Sequence, residues 1–226
     1  MKKIGSVSLA LLLFFGVSFK PKPKPFEGTI TYAVDYHSEY GSIKYPQGFN
    51  VYIKGDIIRI DFSLPFAEIG QIIDCKKRTY IKLCVIDGKK YCVKGELKKA
   101  SWLGKVIIAK DSTQTINKEV CSFGRINEET SRYVIYATEK YQISKNITAC
   151  GGELPYRLFY PQKEFTSKLI MKQDAFDKDG QTTYEVEIIT ESQLKDSDIL
   201  PSTKDCKELS EEELGDIIKN YFKSSH

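Results

Sequence analysis

The chain has 226 residues, 41% of them hydrophobic and 12% aromatic, which excludes a disordered protein and allows a sizeable core. Its formal charge of +4 falls by two once Lys2 and Lys3 leave with a leader, and no dense basic run carries interleaved aromatics, so nucleic acid is excluded as a partner. The only histidines are His37 and His226 and no two cysteines stand as Cys-x-x-Cys, so neither a metal site nor a cofactor is expected.

Residues 4 to 19, IGSVSLALLLFFGVSF, follow Met1-Lys2-Lys3 as the hydrophobic part of an export signal follows its positive start. The run is shorter than the roughly 20 residues that span a bilayer comfortably. Gly16 and Ser18 suit cleavage after Ser18, and the first cysteine is Cys75, which speaks against a lipid anchor. The expectation is a periplasmic or otherwise exported protein, soluble after signal cleavage. In residues 19 to 25 lysines alternate with prolines, the composition of a charged, extended linker.

Period-two alternation then dominates. In GTITYAVDY, Ile30, Tyr32, Val34 and Tyr36 share one face. FNVYIKG and DIIRIDF flank Gly55-Asp56 as a hairpin, and QIID and RTYIKLCV flank Cys75-Lys76-Lys77 as a second. KKYCVKG continues the antiparallel run after Asp87-Gly88. Residues 97 to 104 (LKKASWLG) form a weak helical segment. Strand patterns resume at KVIIAKD, TINKEVCSF and SRYVIYATEKYQIS, pass through YRLFYP, and end with KLIMKQDAFD and TTYEVEIIT. About ten or eleven strands without intervening helices exclude a parallel βαβ topology. The prediction is a mainly β domain over 26–205, built as a single strongly curved antiparallel sheet or half-barrel.

In the segment 206–226, Ser210-Glu211-Glu212-Glu213 is a capping box, with Leu209 and Leu214 placed as a hydrophobic staple. Leu214, Ile217, Ile218, Tyr221 and Phe222 follow helical spacing and predict an amphipathic helix packed on the same domain. Six cysteines in an exported chain make disulfides an option. Folding LCVIDGKKYC symmetrically about Gly88 sets Cys84 opposite Cys92, the candidate disulfide. The alternative is a pair of half-buried reduced thiols.

The blocks FEGTITYAVDY, IKGDIIRIDF and IIDCKKRTYIKL, followed by INKEVCSFGRI, VIYATEKYQIS and GGELPYRLFYP, together resemble the bacterial periplasmic lipoprotein-carrier superfamily (LolA/LolB-like). The likeness is greatest to its GLPGLI-type relatives. Tyr156 and Arg157 stand where those relatives have Gly and Leu, and their Trp is missing. The resemblance implies a curved sheet whose concave side, covered by helices, holds acyl chains. It gives Arg59 the role of a ligand-side contact to the covering lid, while pairing with Asp61 on the same strand face is an ordinary alternative. The same apolar alternation also serves a filled core.

No catalytic residues emerge. A Ser-His-Asp or Cys-His arrangement would need His37, and no Gly-rich phosphate loop occurs. The expected function is non-enzymatic binding of an apolar ligand, an acyl chain or lipoprotein, in the hollow of the sheet. The rival is a structural or interaction module of the bacterial cell envelope with an envelope partner and no small-molecule ligand.

Overall fold

The computed structural model describes residues 25–37, 46–98, 105–150, 157–178 and 180–224. Its strands are β1 (Gly28–His37), β2 (Gly48–Lys54), β3 (Ile57–Leu64), β4 (Ala67–Asp74), β5 (Thr79–Ile86), β6 (Lys89–Glu96), β7 (Lys105–Ile116), β8 (Glu119–Asn127), β9 (Arg132–Thr138), β10 (Leu169–Asp177), β11 (Gly180–Glu191) and β12 (Lys207–Glu208). The helices are α1 (Lys145–Cys150), α2 (Asp196–Ile199) and α3 (Glu211–Ser224). All twelve strands join one open sheet in the order β12-β6-β5-β4-β3-β2-β1-β11-β10-β9-β8-β7. Every pairing is antiparallel except that of β12 with β6, which is parallel.

Two local signals were hidden from the alternation. TINKEVCSF reads as one strand, but Asn117 and Lys118 both have left-handed backbones (φ 46° and 65°) and make the two-residue turn between β7 and β8. Asn tolerates that conformation better than most residues. YRLFYP reads as a strand, yet residues 157–161 pair with nothing in the sheet and instead bring Leu158, Phe159 and Tyr160 to full burial. Residues 99–104 of the expected weak helix lie outside the described residues, and Leu97 and Lys98 are irregular.

One face of the central strands is the apolar one the alternation implies. Ile30, Tyr32, Phe49, Val51, Ile53, Ile58 and Ile60 are all buried there, and full burial of each such side chain contributes about 1.5–3 kcal/mol. Tyr141, Ile143, Ile147 and Cys150, at and before α1, join this cluster with Leu158 and Phe159, while Tyr160 and Phe165 join its neighbour under β9 and β10. Tyr32 Oη donates to the Ile170 carbonyl at 2.7 Å, so a phenol buried among apolar groups is satisfied rather than stranded. Tyr160 Oη likewise donates to Gln173 Oε1. The Cys75–Cys150 disulfide holds α1 to the β4–β5 turn. Ser144 and Asn146 both donate to Asp56 in the β2–β3 turn.

The Cys84–Cys92 pairing does not form. The β5–β6 loop contains only Asp87 and Gly88 (φ 48° and 73°), so Ile86 faces Lys89, Cys84 faces Tyr91, and Cys92 faces Leu83. Symmetry about Gly88 assumed a three-residue loop; the tighter turn shifts the register by one, and one residue reverses the face. Cys92 instead bonds Cys206. Cys84 is a buried free thiol on the opposite face, and Cys121 is a second buried free thiol.

After β11 the chain crosses the face opposite the main core. Leu194 N donates to Glu27 Oε1, and Lys54 Nζ donates to the Leu194 carbonyl and to Asp196. This strap carries α2, reaches Cys206, and continues as β12 along the β6 edge. Past that edge, Leu209 and Leu214 are buried with Cys84, Ile86 and Val93, so the C-terminal segment wraps from one sheet face to the other. The capping box forms as its sequence implies. Glu213 N donates to Ser210 Oγ at 3.2 Å, and Ser210 N donates to Glu213 Oε2 at 2.7 Å. Among the described residues no helix is long and apolar enough to cross a membrane.

Candidate functional site

The middle of the core face is occupied by side chains: Tyr32, Phe159, Tyr160 and Phe165 are each under 2% exposed. An apolar opening remains toward the β6 end, where α3 lies over the sheet. It is a slot of about 330 Å³ lined by Phe62, Ile69, Cys84, Leu214, Gly215 and Ile218, with Gln71, Lys82 and Glu211 at its polar margin. That volume is at the lower end of the range for ligand pockets. Alternation in β3, β4 and β5 sets Phe62, Ile69 and Cys84 on the α3 side of the sheet, and helical spacing sets Leu214 and Ile218 against them.

Gly215 borders the slot. A Cβ built there meets no heavy atom within 4 Å, so the helix carries no side chain into this part of the space. The slot's polar end is ordered. Glu211, the first residue of α3, accepts from Tyr80 Oη at 2.7 Å and from Lys82 Nζ at 2.8 Å. Burial pushes the Glu211 carboxyl up, but Lys82 and Tyr80 outweigh it and leave the group below the usual glutamate value. The hydrogen bond to that carboxylate, with a smaller contribution from burial, raises Tyr80 to about 12. Tyr80 lies over Gly95 on β6, where a Cβ would stand 2.6 Å from the ring. Glycine is required there so that the phenol can reach Glu211. Burial raises the Cys84 thiol to about 11, so it lines the slot as a protonated, unreactive group.

Arg59 lies on the other face of β3. Its guanidinium grips Asp61 through Nε at 2.8 Å and Nη2 at 2.6 Å, sits 5.3 Å from the Tyr52 ring centroid, and donates through Nη1 to the Asp198 carbonyl of α2 at 2.8 Å. Arg59 thus fastens a covering helix and is also paired with Asp61. Both contacts lie on the strap side of the sheet, away from the α3 slot. His37 is exposed and pairs with Asp35 at 3.1 Å, while its sequence neighbours Ser38 and Glu39 lie outside the described residues. Among the described residues no group of three or more His, Cys, Asp or Glu side chains could hold a metal ion.

Sequence reasoning did not single out Tyr80, Lys82, Gly95 or Gly215. Tyr80 and Lys82 alternate on one face of β5, a readable pattern, but their partner Glu211 stands 131 and 129 residues away. Only the wrap around the β6 edge brings them together.

Beyond α2 the strap side of the sheet presents polar and apolar side chains together. A trough of about 830 Å³ runs over β1 to β5, with Thr31, Asn50, Asp61, Ser63, Glu68 and Gly70 along it. It adjoins a second hollow of about 740 Å³ over β1, β11 and β10 that holds Asp35, Lys172, Asp174 and Glu185. Ala33 and Glu187 belong to both.

No protein-family model matches this chain, and no curated protein matches it. Among solved structures the fold is similar to that of PNGF-II in two crystal forms. Identities are 11% and 12%, TM-scores are 0.53 and 0.52, and 85% of this chain is covered in each. The chain spans about a third of the length of PNGF-II, 33% and 32% in the two forms. At such identities the likeness is one of fold.

Proposed function

We propose that the protein is an exported, non-enzymatic binding protein that takes an apolar ligand, an acyl chain or the lipid part of a lipoprotein, between its sheet and α3. The observation that carries this reading is the apolar slot bordered by Gly215 and closed at one end by Lys82 and Glu211. Each buried methylene contributes about 0.8 kcal/mol, so a chain of on the order of ten carbons gives useful affinity. The two disulfides and the hydrophobic leader at residues 4 to 19 support export. The curvature that the sequence resemblance implies belongs to the same proposal: a bent sheet offers α3 a concave seat.

The test is displacement of the fluorescent apolar probe N-phenyl-1-naphthylamine by decanoate, compared between the natural protein and Gly215→Leu. Leucine improves helix propensity at this position while filling the slot. Bound probe in the natural protein and none in Gly215→Leu supports the reading. Equal binding by both proteins, or none by either, refutes it. The second reading, an envelope interaction module with no small-molecule ligand, predicts no probe uptake and no lipid in organic extracts of the purified protein.

A further inference from the structure

We infer that the strap face of the sheet is a docking surface for an extended, positively charged peptide segment of a partner protein, on a site independent of the α3 slot. The two adjoining hollows run across seven neighbouring strands, from β5 through β4, β3, β2, β1 and β11 to β10. At about 4.8 Å between strands the path is roughly 29 Å long. That accommodates about eight or nine residues of extended chain.

Charge selects the occupant. The surface presents Asp35, Asp61, Glu68, Asp174, Glu185 and Glu187 against Arg59, Lys172 and His37. Arg59 is committed to Asp61, Lys172 to Glu185 at 2.8 Å, and His37 to Asp35 at 3.1 Å. Asp174 accepts from the neutral Thr183 hydroxyl at 2.8 Å and shares the field of Lys172 with Glu185. Glu68 and Glu187 are exposed and, among the described residues, make no ion pair. A chain with a net charge of +4 therefore gathers an acidic excess on this one face, the reverse of its overall sign. Complementary charge at such a surface steers encounter and fixes register.

A second feature points to a polypeptide rather than to a small cation. Ile188, beside Glu187, is 57% exposed, and Leu200, beside the trough residue Pro201, is 47% exposed. Large apolar side chains left bare at the rim of a trough that is itself part acidic and part apolar suit a partner that brings both charge and hydrocarbon. Lysine side chains supply both, since their stems bury while their ammonium groups pair.

The experiment is fluorescence anisotropy of the full chain with a labelled peptide of about eight residues alternating Lys and Pro, which is extended in solution. Peptides with Glu or Ser in place of Lys serve as controls. The Lys-Pro peptide binds, its affinity falls as salt is raised, and Glu68→Gln/Glu187→Gln weakens it about fivefold or more. Ile188→Ser weakens it further, whereas Gly215→Leu in the slot leaves it unchanged. All three substituted positions on this face are exposed or half-exposed, so unchanged thermal unfolding accompanies the loss. The inference is overturned if the Lys-Pro peptide does not bind at millimolar concentration, if the Glu-Pro or Ser-Pro peptide binds as well, or if the double glutamine variant binds undiminished.

Discussion

Removing the Cys75–Cys150 bridge tests how the core is held together. The bond closes a sequence separation of 75 residues, and loop-closure entropy for that length stabilises the folded state by about 4.5 kcal/mol at 25 °C. It acts where the covering segment meets the sheet, since Cys150 ends α1 and Cys75 sits at the β4–β5 turn. Ser144 and Asn146 already bind Asp56 in the adjacent turn, so the native arrangement persists without the bond and the loss falls on the unfolded chain. The measurement is equilibrium urea unfolding of the natural protein and of Cys75→Ala/Cys150→Ala, both with Cys92–Cys206 intact. The variant should lose about 3–4.5 kcal/mol, and its m value should rise because the unfolded chain is less compact. A loss under about 1 kcal/mol with an unchanged m value would refute the entropic reasoning.

Three further outcomes follow from the geometry. Titration with a thiol reagent at neutral pH should find two slow, protected thiols in the native protein and two fast ones after unfolding without reductant; four or more would contradict the disulfide pattern. Arg59→Ala should cost about 0.5–1.5 kcal/mol by removing the donor to Asp61 and to the Asp198 carbonyl, and should speed proteolytic cleavage between residues 192 and 206; cleavage as slow as in the natural protein would show that Arg59 does not hold the strap. The Glu211 carboxyl lies below its unfolded value, so its contribution to the docking of α3 is complete above the unfolded glutamate pKa of about 4.3 and fades as pH falls through the lower folded value. In Glu211→Gln that acid-range loss should vanish, and the Tyr80 ionisation followed by ultraviolet absorbance should drop from about 12 toward its ordinary value; a tyrosine titration unchanged by the substitution would remove Glu211 as its cause.

Elements set by neighbours in the chain were legible. The alternation of Ile30, Tyr32 and Val34 requires a one-sided strand, and Ser210 with Glu213 closes the start of α3 through groups three residues apart. Those choices rest on backbone geometry and on side-chain period, both local. The β5–β6 turn was legible as a turn but not in its register, because Asp87-Gly88 and a loop one residue longer share the same letters, and the sulfur partner of Cys92 depends on that difference. Arg59 was placed correctly on its strand and beside Asp61. That its remaining donor fastens α2 depends on a strap arriving from residue 198.

By itself, then, the amino-acid order determined a predominantly β chain of short antiparallel strands with one capped C-terminal helix, since these follow from contacts within a few residues. Only the tertiary structure decided that twelve strands share a single open sheet, that the C-terminal segment passes round the β6 edge from one face to the other, and that Tyr80 and Lys82 meet Glu211. Those arrangements join residues more than a hundred positions apart. No local period encodes such pairings; they are selected by which faces must leave water together.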